Sequence, residues 1–245
     1  MIFELVKKGA VQECSNIPDQ FLSSIFLVPK PNGKSRLILN LKNLNYFVKT
    51  EHFKLEDSRT VKKLMRKGSY MGTIDLQDAY YLISVYKAHR KYLRFKFQNK
   101  LYEFCCLPFG LSSAPYVFTK LIKPISTWLR SKGFISVVYL DDWFLIARSY
   151  SSCIRNINAT IEILQSLGFI INFKKSQLEP AQICKYLGFN YDSINMLVSL
   201  PKEKIQKVLQ LISSVKLNDR ITIRHFAYIL GVLVSCCPAV NYSWA

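Results

Sequence analysis

The sequence predicts an α+β domain organised around an antiparallel sheet. Three observations carry that expectation. Strand-like and helix-like segments are interleaved without the regular alternation of a parallel sheet. Pairs of short apolar runs meet across compact turn signals. The helical segments carry apolar residues at helical spacing and stop on glycine. With 245 residues, 50% of them hydrophobic and 13% aromatic, the chain has material for one large core or two small ones. Only 9 Gly and 9 Pro, with that apolar content, exclude a disordered basic tail, a collagen-like chain and a low-complexity one.

The first pair of runs, residues 24–30 and 36–41, flanks Pro31-Asn32-Gly33. Asn-Gly between such runs is a strong hairpin signal, because both turn positions need positive φ. Residues 55–67 read as a helix capped by Asp57 or Ser58 and stopped by Gly68. Residues 70–75 form a short strand. Residues 92–97 and 101–106 make a second hairpin about Gln98-Asn99-Lys100. Pro115 opens a helix that reaches Lys132 and stops at Gly133, with a kink expected at Pro124. Residues 135–140 and 143–147 are apolar strands joined at Asp141-Asp142. Residues 152–167 are a helix with Ile154, Ile157, Ile161 and Leu164 on one face, closed by Gly168. Residues 186–191 and 196–199 pair as another hairpin, and two helices, 201–215 and 222–235, complete the order.

The formal net charge is +18, from 34 basic and 16 acidic residues. The excess is uneven: residues 1–150 hold 24 basic and 11 acidic side chains, the remainder 10 and 5. A folded chain this basic meets a polyanion, and the binding weakens with salt. The longest apolar run, residues 226–240, is shorter than the roughly 20 residues of a membrane span and contains Gly231 and Pro238. No signal peptide is visible at the start. Nucleic acid is therefore the expected polyanion, with no membrane partner, and the expected setting is intracellular (cytoplasm or nucleus) rather than secreted. The seven Cys form no CxxC pair and only three His accompany them, which argues for reduced thiols and against structural zinc.

Carboxylates are scarce, so their settings are informative. Asp141 and Asp142 interrupt the otherwise apolar Val137-Val138-Tyr139-Leu140-Asp141-Asp142-Trp143-Phe144-Leu145-Ile146. One reading is a turn in which one Asp caps a backbone N–H and the other faces water. Against it, two like charges at the tip of an apolar hairpin repel unless a cation neutralises them. Asp75 ends another strand in a similar setting. Three converging acids suit a pair of magnesium ions, which take a few carboxylates plus phosphate oxygens and water. Two such ions clamp the attacking and leaving oxygens of an in-line phosphoryl displacement.

On these residues the chain resembles a reverse transcriptase, from about residue 20 to its end. Tyr139-Leu140-Asp141-Asp142 resembles the family's YxDD hairpin, and Asp75-Leu76-Gln77-Asp78-Ala79-Tyr80 its first catalytic motif. Leu107-Pro108-Phe109-Gly110-Leu111-Ser112-Ser113-Ala114-Pro115 resembles the LPFGLxxAP motif that follows. Leu167-Gly168-Phe169 with Lys174-Lys175-Ser176, and Lys185-Tyr186-Leu187-Gly188-Phe189, are similar to the fourth and fifth motifs. A lone YxDD is weak, but five motifs in the family's order are specific. The wording of residues 21–30 and 107–121 is most similar to retrotransposon enzymes, with tyrosine-recombinase (DIRS-like) elements ahead of long-terminal-repeat (Ty3/gypsy-like) ones.

The resemblance implies a polymerase right-hand fold. Fingers would occupy 1–69, with 84–108 shared between fingers and palm. An antiparallel-sheet palm over 70–199 would carry the catalytic and primer-grip hairpins. A small helical thumb and the start of a connection would occupy 200–245, read as truncated. The implied activity is RNA-directed DNA synthesis: nucleotidyl transfer from a dNTP to a primer 3′-hydroxyl on an RNA or DNA template. Asp75, Asp141 and Asp142 would hold two Mg2+ ions, with Mn2+ able to replace them, and Lys175 would be the general acid for pyrophosphate, with Lys174 its neighbour and rival. Lys30, Arg36, Asp78, Ala79, Tyr80, Phe109 and Gly110 would bind the nucleotide, with Tyr80 as the steric gate against a 2′-hydroxyl. Leu187, Gly188 and Phe189 would grip the primer. Lys202, Lys204, Lys207 and Arg220 are candidates for phosphate contacts or a solvated helix face. No RNase H, integrase, recombinase or protease motif is visible, so the chain reads as a fragment, a degraded element or a split reading frame. The alternative function is a catalytically idle, nucleic-acid-binding relic or domesticated fragment.

Overall fold

A computed structural model describes residues 1–29, 33, 35–215 and 220–240. The strands are β1 (Val11–Glu13), β2 (Ile25–Pro29), β3 (Ser35–Leu39), β4 (Tyr70–Gln77), β5 (Arg94–Phe97), β6 (Lys100–Phe104), β7 (Ile135–Tyr139) and β8 (Asp142–Ala147). After these come β9 (Ile170–Ile171), β10 (Gln177–Ala181), β11 (Ile183–Tyr186), β12 (Phe189–Asp192) and β13 (Leu197–Ser199). The helices are α1 (Ile2–Lys7), α2 (Lys42–Asn45), α3 (Ser58–Leu64), α4 (Ala114–Ser131), α5 (Tyr150–Ser166), α6 (Lys202–Ser213) and α7 (Ile223–Val234). The mixture is α+β, and the pairings β1–β6, β5–β6, β2–β3, β4–β8, β4–β10, β7–β8, β11–β12 and β12–β13 are antiparallel, as the sequence predicts. The chain divides into two units: Met1–Leu55, Leu76–Thr127 and Ile163–Ile170, and then Glu56–Asp75, Trp128–Glu162 and Ile171–Ala245.

In the first unit β1, β6 and β5 form one sheet and β2–β3 a separate hairpin. Leu37, Leu39, Leu93, Phe95 and Phe104 are buried together with Ile2 and Leu5 of α1. Arg94 and Glu103 lie opposite each other on β5 and β6, and both are buried. Their ion pair is 2.6 Å long, and the side chains are 6% and 7% exposed. Gln20 Oε1 accepts from Arg94 at 2.7 Å and Gln12 Nε2 donates to Glu103 at 2.7 Å, so the buried charges are hydrogen-bonded as well as paired. The β5–β6 turn is shorter than expected: Phe97 pairs with Lys100, and Gln98 and Asn99 alone turn the chain, both at positive φ. At the β2–β3 tip, Lys30, Pro31, Asn32 and Lys34 lie outside the described residues.

In the second unit the main sheet runs β10-β4-β8-β7, with β9 also paired to β4. Gly72 of β4 permits close packing. A Cβ there would stand 2.8 Å from Ile157 Cδ1 and 2.9 Å from the Gln177 carbonyl oxygen. Only glycine lets α5 and β10 approach so closely. Val61, Met71, Val137, Phe144, Tyr186 and Tyr191 form the core beneath this sheet. β11, β12 and β13 make a three-stranded meander. Residues 186–191, expected as one strand, are instead broken at Leu187-Gly188, both at positive φ, so the chain reverses there. Asp57 caps α3 by accepting from Arg59 N at 2.9 Å, and Thr222 caps α7 by accepting from His225 N at 3.2 Å. Pro124 sits inside α4, which runs unbroken from Ala114 to Ser131. Among the described residues no helix is long and apolar enough to cross a membrane.

Candidate active site

The three acids singled out in the sequence are brought together in the second unit. Asp75, near the end of β4, is the direct cross-strand partner of Asp142, the first residue of β8. Tyr139 pairs with Asp142, so the hairpin turns on Leu140-Asp141, not on Asp141-Asp142 as expected. Leu140 takes φ +54°, a costly conformation for a residue with a Cβ. The shift by one residue places Asp142 inside the sheet edge to edge with Asp75 and leaves Asp141 exposed at the tip.

The electrostatics follow from that crowding. Burial first, and then the charges of Asp141 and Asp75, push the Asp142 carboxyl up to about 6 against the opposing charge of Lys175. A hard, oxygen-only donor set of this charge fits a divalent cation such as Mg2+ or Mn2+. Among the described residues, however, no three His, Cys, Asp or Glu side chains already stand as a metal cage. Asp75 is engaged elsewhere: its Oδ1 accepts from Asn172 Nδ2 at 2.6 Å, and its Oδ2 faces Lys175 Nζ at 4.0 Å.

This strain on Asp142 has a measurable sign. Its carboxyl holds a proton more tightly in the folded chain than at its ordinary value of 3.8. Ionisation therefore costs the folded state more than the unfolded one, and the cost grows as pH rises from about 4 to about 6. In metal-free buffer at pH 7, Asp142→Asn is expected to melt higher than wild type, by about 2–4 °C per kcal/mol relieved. The gap should close below pH 4. A lower melting temperature for the variant at pH 7 would contradict the crowding.

Several residues that hold this hairpin were not legible as functional. β7 is an edge strand, and side chains meet several of its backbone groups. Val138 N donates to Glu56 Oε2 at 2.7 Å, the Ser136 carbonyl accepts from Arg130 at 2.8 Å, and the Ile135 carbonyl accepts from Asn156 at 2.8 Å. Arg130 and Glu56 also pair with each other at 2.7 Å. These contacts blunt the edge and fix the strand that leads into the turn. Tyr186 donates its buried hydroxyl to the carbonyls of Val137 and Asp142, at 3.2 and 3.1 Å, tying β7 and β8 together.

A second group assembles in the first unit. The Arg36 guanidinium lies over the Phe109 ring at 4.3 Å. The Tyr80 ring packs against Phe109 at 5.4 Å and edge-on to Phe118 at 5.1 Å. Gly110 follows at φ +103°, and a Cβ there would stand 2.7 Å from the Leu39 carbonyl oxygen. Asn45 clamps this loop: its Nδ2 donates to the Gly110 carbonyl and its Oδ1 accepts from Ser112 N, both at 2.9 Å. Arg36, Tyr80, Phe109 and Gly110 are thus neighbours. Asp78, left-handed at φ 51°, precedes a short 3-10 turn, Ala79–Leu82, and its carboxylate pairs with Lys8 at 2.6 Å. Lys30 lies outside the described residues.

The other candidates are placed as follows. Leu187-Gly188 is the β11–β12 turn, with Gly188 exposed, whereas Phe189 is 6% exposed and belongs to the core. Lys174 is exposed, and Lys175 is 67% exposed beside Asp75. Lys204 is committed within the unit, its Nζ 4.8 Å from the Phe189 ring and donating to the Ser235 carbonyl at 3.1 Å. Lys202, Lys207 and Arg220 are exposed.

Asp75 and Asp142 thus meet where β4 and β8 pair, with Asp141 on the adjoining turn. Residues 28–191, more than half of the chain, match the family described as "Reverse transcriptase (RNA-dependent DNA polymerase)". The chain belongs to that family. Its relatives are retrotransposon polyproteins. It is 29% identical over 208 residues to the Transposon Tf2-3 polyprotein of Schizosaccharomyces pombe, covering 84% of this chain and 15% of the polyprotein. It is 29% identical over 194 residues to the retrovirus-related Pol polyprotein from transposon opus of Drosophila melanogaster, covering 77% of this chain and 19% of that protein. The chain therefore spans under a fifth of the length of these relatives. Among solved structures, the foamy viral protease-reverse transcriptase dRH in complex with double-stranded DNA superposes with a TM-score of 0.80 at 24% identity, over 95% of this chain and 38% of that one. The same viral enzyme in complex with an RNA/DNA hybrid gives 0.73 at 22% identity, over 95% of this chain and 29% of that one. At these identities the likeness establishes the fold, which is the polymerase right-hand fold.

Proposed function

We propose that this chain is the polymerase portion of a retrotransposon reverse transcriptase and transfers nucleotidyl groups from dNTPs to a primer 3′-hydroxyl on an RNA or DNA template. The observation that carries the reading is the direct opposition of Asp75 and Asp142, with Asp141 on the adjoining turn. The names of the foamy viral complexes, with double-stranded DNA and with an RNA/DNA hybrid, support template–primer as the partner. The net charge of +18 supports the same partner.

In the proposed reaction Asp75, Asp141 and Asp142 hold two Mg2+ ions, or Mn2+ in their place. Bound there, the ions would acidify the primer hydroxyl and stabilise charge on the triphosphate. Lys175 supplies the proton to pyrophosphate. Arg36, a planar bidentate donor, and Lys30 contact the triphosphate, as do the backbone N–H groups of Asp78 and Ala79. Phe109 and Gly110 line the nascent base pair, and Leu187, Gly188 and Phe189 position the primer, with Phe189 acting from the core. Fingers over 1–69 (with 84–108 shared), palm over 70–199 and thumb over 200–245 are the proposed divisions, in an intracellular setting. The motif wording favours a DIRS-like element, while the Ty3/gypsy-like alternative fits the transposon relatives.

Tyr80 is proposed to select the sugar, its ring held in place by Phe109 and Phe118. Tyr80→Val is expected to narrow the ratio of kcat/KM for dNTP over the matching rNTP by at least about tenfold. An unchanged ratio would return Tyr80 to a packing role. Template preference is tested by single-turnover extension of one DNA primer on RNA and DNA templates of the same sequence. Extension on both, in magnesium, is the expected result. Extension on DNA alone would refute the RNA-directed reading, and tight binding with no extension on either would favour the idle relic.

A further inference from the structure

We infer that Asn172 is a positioning residue that fixes the Asp75 carboxylate so that one defined oxygen, Oδ2, is offered to a divalent cation; the inference rests on the proposed assignment of Asp75 to the metal site. The turn over residues 172–176 holds Asp75 at three points. Asn172 N donates to the Asp75 carbonyl at 2.8 Å. Asp75 N donates to Ser176 Oγ at 3.0 Å. Asn172 Nδ2 donates to Asp75 Oδ1 at 2.6 Å. The turn is itself tight: the Asn172 carbonyl accepts from Lys175 N and Ser176 N, both at 3.0 Å, and from the Ser176 hydroxyl at 2.9 Å. The same five residues therefore grip Asp75 and carry Lys175 to its other oxygen.

The chemistry explains why an amide suits this place. The terminal torsion of Asp is broad, so an unheld carboxylate samples many orientations. Asn172 removes that freedom with a neutral donor and leaves the negative charge of Asp75 intact for a cation. A lysine or arginine at the same position would hold the carboxylate and neutralise it. With Oδ1 held, the remaining oxygen faces Lys175 at 4.0 Å, too far for a close ion pair, and Lys175 is largely exposed. Without Asn172 the carboxylate is free to rotate onto Lys175, and an incoming cation must then displace the ammonium. Outer residues that orient metal ligands typically contribute about 10- to 100-fold to metal affinity.

The test is direct titration of the full chain with Mn2+, followed by electron paramagnetic resonance, alongside primer–template binding and primer extension across a magnesium series. Asn172→Ala is expected to weaken Mn2+ binding about 10- to 100-fold and to raise the magnesium needed for half-maximal extension by the same factor. Saturating magnesium should restore the extension rate, and primer–template affinity should stay at the wild-type value. Merely structural damage would not be rescued by metal. Should the alanine variant fail to fold, Asn172→Ser, too short to reach Oδ1, is read in its place with the same expectation. Unchanged Mn2+ affinity in the variant overturns the inference. Asp75→Asn, measured in parallel, separates the two layers. If it too binds Mn2+ like wild type, the metal assignment of Asp75 has failed. If it alone loses Mn2+, only the role of Asn172 is refuted.

Discussion

Asp141→Asn is expected to cut magnesium-dependent primer extension by roughly a thousandfold or more, because a metal's stabilisation of developing charge contributes several kcal/mol and each 1.4 kcal/mol is about tenfold in rate. Primer–template affinity should stay within about twofold. Asp141 is exposed at the hairpin tip and its neighbours are held by Tyr186, Glu56 and Arg130, so the change leaves the scaffold in place. The isosteric amide removes the charge and keeps the size of the side chain. Single-turnover kinetics with a fluorescence-anisotropy measurement of primer–template binding separate the two effects. Extension within tenfold of wild type would remove Asp141 from the metal site.

The second large effect concerns stability. Glu103→Ala is expected to destabilise the chain by about 3–5 kcal/mol, the cost of leaving a buried Arg94 without its partner. Arg94 would keep Gln20 and the Ser15 carbonyl, but neither carries a countercharge. The paired replacement Arg94→Met with Glu103→Leu should recover most of that loss, since it removes both desolvated charges at once. Urea unfolding followed by near-ultraviolet circular dichroism reads both variants. A loss below about 1 kcal/mol for Glu103→Ala, the range of an exposed pair, would show that the pair is solvated in solution.

These residues also mark what the sequence could and could not disclose. The Asp141-Asp142 hairpin was legible because two acids interrupt an apolar run, a local contrast that needs no knowledge of the fold. Its turn was misplaced by one residue because Asp-Asp has turn chemistry and Leu140 does not. Tertiary contacts decide the matter: β4 pairs Asp75 with Asp142 and Tyr186 bonds both flanking strands, which holds Leu140 at positive φ. Residues 186–191 misled for the same reason, since Leu187 carries no turn signal. Arg36, Tyr80, Phe109 and Gly110 were nominated by family motifs, and the structure gathers them in one unit. Asn172, Glu56, Arg130 and Tyr186 were missed as supports because their partners are distant in sequence; Asn172 and Asp75 are 97 residues apart. Polar residues of that kind look like ordinary surface until the sheet brings their partners to them. α1 and β1 were also missed, being too short for periodicity to declare.

Addition of one templated dNTP to a primer 3′-hydroxyl by the full chain, in EDTA and then with excess Mg2+, is the most direct measurement of the proposed chemistry. Templated addition that is absent in EDTA and appears with magnesium is the expected result. Primer–template bound tightly but left unextended in both Mg2+ and Mn2+ would contradict it, and would leave the three acids without the reaction assigned to them.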